Sequence, residues 1–184
     1  GVIFALPQSA SAFNSIFQQD SQVVRGAQLY DDWTQLVQVQ VPGGNQPIWG
    51  RQSTNTRSGV DTWLCVSCHG WDYQGKDGAF RTGDEYTGFP GVFESRDQSV
   101  ASLGSILAGQ ADPNHDFSPY LSAQDMEALA AFIREGTLDD NQFIDPVSLK
   151  VLGGDLAAGK SKYEQGCASC HGADGQQISF RYQG

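Results

Sequence analysis

Two copies of one short pattern constrain this chain more than anything else in it: Cys65-Val66-Ser67-Cys68-His69-Gly70 and Cys167-Ala168-Ser169-Cys170-His171-Gly172. Each is a C-x-x-C followed at once by His and Gly. Two thiols three positions apart on a tight helical turn can each bond one vinyl group at a porphyrin edge, forming thioethers. The adjacent His then sits beneath the iron, where its imidazole takes the proximal axial position. The pattern implies two haem c groups, attached through Cys65, Cys68, Cys167 and Cys170, with His69 and His171 as iron ligands.

Three other readings fit the pattern less well. In zinc ribbons the two C-x-x-C pairs are commonly about 15–20 residues apart. Far more chain separates Cys68 from Cys167. Structural disulfides and a thioredoxin-like redox pair leave the His-Gly after each pair unexplained.

Composition narrows the class. Of the 184 residues, 21 are acidic and 11 basic, a net charge of −10 that argues against a nucleic-acid-binding surface. No apolar run approaches the roughly 20 residues a membrane-spanning helix needs. Residues 1–20 form an N-terminal segment that is uncharged through residue 19. Its Ala10-Ser11-Ala12 is like a secretory cleavage site without a positive region before it. It is expected to be a processing remnant or the start of the mature chain, and a neighbouring subunit is one candidate for what it lies against.

With these motifs the chain resembles the c-type cytochromes, specifically dihaem proteins built from two class I-like cytochrome c domains. The resemblance implies a mainly α fold with long irregular loops, haem attachment in the periplasm or outside the cell, and electron transfer with redox partner proteins. Gly26-Ala27-Gln28-Leu29-Tyr30 and Gly159-Lys160-Ser161-Lys162-Tyr163 both look like the family's Gly-x-x-x-aromatic N-terminal helix. Tyr163 stands one helical turn before its motif and Tyr30 much further from Cys65, so the first domain carries an insertion at about 38–61. Its Pro42-Gly43-Gly44-Asn45 and polar Gln52–Thr56 stretch read as a loop with room for a short hairpin.

The expected division is a first haem domain over 21–136, a connection over 137–154 broken at Asp145-Pro146, and the start of a second haem domain over 155–184. In the first domain, Val23, Ala27, Tyr30 and Val37 mark one face of a helix over about 21–37. Asp97 is the expected cap of a helix carrying Val100, Leu103 and Leu107 before Gly109. Ser122 and Asp125 form a capping box for a helix running to Gly136.

By the resemblance, the second axial ligand comes from the loop before that last helix. The only methionine, Met126, shares a helical face with Leu129 and Ile133 and can staple to Leu121, which makes it a core residue. His115, in Asp112-Pro113-Asn114-His115-Asp116-Phe117, occupies the family position instead. A bis-histidine haem, His69 with His115, is therefore expected, at a lower potential than His/Met ligation gives. The turn Gly88-Phe89-Pro90-Gly91 resembles the segment whose carbonyl accepts the proximal His Nδ1 proton. Trp63, Trp71, Tyr73 and Phe89 are candidates for haem walls or for ordinary core.

Too little sequence follows His171 for a distal loop and a C-terminal helix. A longer polypeptide, or another chain donating the missing ligand, is expected to complete the second site. In the second case, head-to-tail contacts that do not close would make a filament of stacked haems. An open sixth position at that haem is the remaining, enzymatic possibility.

Overall fold

The computed structural model describes residues 9–148 and 150–177; the expectations for residues 1–8 and 178–184 lie outside the described residues. About half the residues are helical, and no strand occurs among the described ones, as expected for a mainly α protein. The chain divides into two compact units at residues 139/140.

The first unit is organised by two long helices. Helix α1, Ser9–Leu36, begins well before the expected start at residue 21. It is interrupted at Asp32, whose non-helical backbone (φ −150°, ψ 86°) lets its carboxylate accept the Thr34 amide at 3.0 Å and so cap the final turn anew. The helix α4, Ala123–Glu135, starts with the expected capping box, in which the Ser122 hydroxyl and the Asp125 carboxylate each accept the other residue's backbone N–H. Burial works against the Asp125 carboxylate, yet the Ser122 hydroxyl and the Arg25 guanidinium hold its carboxyl below the usual range. That ion pair ties α1 to the start of α4.

The helices cross at Gly26. A Cβ built there would lie 2.0 Å from the Ala128 carbonyl oxygen and 2.6 Å from the Phe132 Cβ, so the close approach requires glycine. Around the crossing, Leu29, Tyr30, Trp33, Leu129 and Phe132 are buried, with Val23, Ala27, Val37 and Met126 against them. The apolar face of α1 is thus wider than its periodicity marked, for Leu29 and Trp33 are wholly buried. Alanine at position 26 gains about 1 kcal/mol of helix propensity but overpacks against backbone, typically costing about 1–3 kcal/mol. Gly26→Ala should therefore lower stability in denaturant unfolding, whereas Gly159→Ala, which meets open space, should not. A Gly26→Ala variant as stable as the parent would refute this packing.

Two expectations need correction. The helix α3, Val100–Leu107, is capped by Ser99, whose hydroxyl accepts the Ser102 amide at 3.1 Å. Asp97 instead ends the 3₁₀ helix Phe93–Asp97, and Gln98 is extended between them. The insertion contains no hairpin: it winds into the 3₁₀ helices Pro47–Arg51 and Gly59–Trp63, with the buried Trp49 donating from Nε1 to the Arg57 carbonyl.

In the second unit, the Asp145 amide donates to the Lys150 carbonyl at 2.8 Å, and Ile144 and Val151 form an isolated antiparallel bridge. Asp155 then caps α5, Leu156–Gly166, accepting two backbone amides at 3.0 Å. The short helix Ala168–His171 follows directly.

Candidate haem-binding site

The first motif forms its own short helix, α2, Cys65–His69, entered from the extended Leu64. Gly70 ends it at φ +79°, a conformation open chiefly to glycine, and its amide closes the turn on the Val66 carbonyl at 3.0 Å. The Tyr30 hydroxyl reaches from α1 to donate to the Gly70 carbonyl at 2.7 Å, pinning the motif to the core. Between the cysteines, Ser67 is wholly buried and its hydroxyl accepts from Arg57 at 2.9 Å.

A cavity of about 270 Å³ opens beside this helix. Cys65, Cys68 and His69 line one side, and His115 lines it as well. Most of the remaining wall is apolar, including Leu64, Leu103, Ile106, Leu107, Leu129 and Ile133. Of the aromatic candidates, Trp63 and Phe89 line the cavity. Tyr73 packs instead against Tyr30 and Phe132 in the core, and Trp71 is 57% exposed.

Both imidazoles are held by backbone carbonyls. His69 Nδ1 lies 2.7 Å from the Pro90 carbonyl oxygen, the partner expected of that turn. His115 Nδ1 lies 3.3 Å from the Ile106 carbonyl oxygen. In each ring the Nδ1–H donates to backbone, which leaves Nε2 with its lone pair available. Burial pushes the His69 imidazolium down to about 4, against the pull of the Pro90 carbonyl, so the ring is neutral at ordinary pH. The ring centroids of His69 and His115 are 6.2 Å apart. Two imidazoles bonded to one metal ion from opposite sides, each at about 2.0–2.1 Å, would have centroids a little over 6 Å apart. Together with the apolar lining, this fits a flat iron porphyrin between the rings.

All four cysteines are free of disulfides. Burial pushes the Cys65 and Cys68 thiols up to about 12.

The second motif repeats the backbone of the first without its surroundings. The Tyr163 hydroxyl donates to the Gly172 carbonyl at 2.6 Å, as Tyr30 does to Gly70. Gly172 has φ +81°, and its amide meets the Ala168 carbonyl at 2.9 Å. The Gln177 amide donates to the His171 carbonyl at 3.0 Å, as Gly75 does to His69 at 2.7 Å. Yet Cys167, Cys170 and His171 are all exposed, and no apolar wall surrounds them among the described residues of their unit.

Sequence reasoning passed over Tyr30 as a brace, and over Gln46, Arg51 and Arg57, which tie the insertion to the site. Only Tyr30 carried a signal, its match to Tyr163.

Residues 60–137, less than half of the chain, match the family model for cytochrome c. This likeness implies covalently bound haem c with its iron and supports haem-based electron transfer. No curated protein and no solved structure matches the chain.

Proposed function

We propose that this chain passes electrons between redox partner proteins through two haem c groups, one in the cytochrome c domain and one at the second motif. In this reading Cys65 and Cys68 hold the first haem, with His69 and His115 as its axial ligands; Cys167, Cys170 and His171 hold the second. The observation that carries it is the pair of backbone-anchored imidazoles, ring centroids 6.2 Å apart, that line an apolar cavity bordered by both cysteines. Haem iron supplies one-electron oxidation and reduction. The chain's own residues do the rest: the Pro90 carbonyl orients His69, the leucine-rich wall excludes water, and the acidic surface attracts basic partners.

Support for the second haem is the repeated hydrogen-bond pattern of Tyr163 and Gly172. The exposure of Cys167, Cys170 and His171 favours completion of that site from outside its unit. A neighbouring copy that supplies the second distal ligand would generate a head-to-tail assembly and, if unclosed, a filament. We place the protein in the periplasm or outside the cell, where cytochrome c domains typically work. No helix among the described residues is long and apolar enough to cross a membrane.

Spectra of the ferrous protein test the reading. The first haem should be low-spin and unresponsive to carbon monoxide, so that no more than one haem per chain binds the gas. Reaction of both haems would overturn the bis-histidine site. Peroxide turnover at the second would instead favour an enzyme.

A further inference from the structure

We infer that the insertion over 38–61 is a strap that positions His115, gripping its loop through Gln46 inside the cavity and Arg51 outside it. The inference rests on the reading of His115 as the first haem's second axial ligand.

His115 stands on a short 3₁₀ helix, Pro113–His115, and its own polar contact, 3.3 Å to Ile106, is a long one. Beside the Phe117 amide on the Leu107 carbonyl at 2.9 Å, the loop is held from the insertion. Gln46 is 2% exposed and lines the cavity. Its Nε2 donates to the carbonyl of Asn114, the residue before His115, at 2.7 Å. Its Oε1 accepts the Ile48 amide at 2.6 Å, so the side chain cannot turn away without losing both bonds. Its backbone N–H is itself held by the Thr62 hydroxyl at 2.8 Å.

At the other end of the same 3₁₀ helix, Pro47–Arg51, the Arg51 guanidinium forks onto Asp112, with Nη2 to Oδ1 at 3.0 Å. Asp112 in turn caps the Pro113–His115 helix by accepting the Asn114 amide at 3.0 Å. One rigid turn of the insertion therefore holds the distal loop at two points.

The insertion also reaches the proximal side. Arg57 donates to Ser67, inside α2 between the two cysteines, and pairs with Glu85 at 2.8 Å. The strap thus spans from the helix that carries His69 to the loop that carries His115, and so sets the separation of the two rings. Pre-ordering a loop-borne ligand lowers the entropy lost when it binds. Cutting the strap should make His115 easier to displace.

The test uses carbon monoxide as the competing ligand on the full, haem-loaded chain, with each variant compared with the parent. Gln46→Leu keeps bulk and loses both amide bonds. Arg51→Gln removes a half-exposed ion pair with little expected effect on folding. Both should make the first haem, unresponsive in the parent, take up carbon monoxide, with the His115-detached fraction raised about tenfold for Gln46→Leu, the scale of a lost buried hydrogen bond. Arg51→Lys, which keeps the charge but not the fork, should fall between the parent and Arg51→Gln. Parental binding in Gln46→Leu and Arg51→Gln, alongside free binding in His115→Ala, would overturn the strap and leave the ligand assignment standing. Unchanged behaviour in His115→Ala would overturn both. Should Gln46→Leu fail to fold, the Arg51 pair of variants decides alone.

Discussion

Alanine in place of His115 is expected to convert the first haem from low-spin to high-spin or water-ligated iron and to open it to carbon monoxide. The cavity offers no substitute. Among its lining residues the only imidazoles are those of His69 and His115, and none is a methionine. Met126 packs against the Leu29–Trp33 core rather than into the cavity. A polar neighbour, Asp112, lines the same wall and favours entry of water into the space the imidazole leaves. The change should be read in the ferric spectrum and in the reduction potential. An unchanged low-spin spectrum would sink the assignment of His115.

Serine at both Cys65 and Cys68 should have the larger effect on stability. Without thioethers the haem is no longer tethered, and its loss leaves the apolar cavity of about 270 Å³ to be filled or collapsed. At about 24 cal/mol per Å³ of void, the cost reaches up to about 6 kcal/mol. That is comparable with the whole stability of many domains, about 5–15 kcal/mol. The variant should melt far below the parent or fail to fold, as followed by circular dichroism. Serine at Cys167 and Cys170 should remove one haem with little change in the melting of the first unit, because those side chains are exposed. Equal thermal effects of the two double variants would contradict this difference between the sites.

What the sequence disclosed was what local chemistry decides. The haem motifs, the Ser122–Asp125 capping box and the likeness of Gly26–Tyr30 to Gly159–Tyr163 each depend on residues within a turn or two, and the structure bears out the box. The start of α3 was misjudged because Asp97 and Ser99 are both good caps, and only the extended backbone at Gln98 and Ser99 selects the second. Trp71 and Trp63 are alike in composition, yet one faces solvent and the other the cavity, a choice made by tertiary packing. Gln46 was the hardest to foresee. Its partner Asn114 lies far along the chain, and a glutamine in a polar loop carries no periodicity or spacing that would single it out. The insertion read only as a loop because its contacts are long-range, and long-range contacts leave no local trace.

The most direct test of the account is the intact mass of the native protein under denaturing conditions, since thioether-linked haem survives unfolding and noncovalent haem does not. The account predicts polypeptide plus two haems, falling to one in either double cysteine variant. A native mass of bare polypeptide would contradict covalent attachment altogether, and a mass with a single haem would contradict the second site.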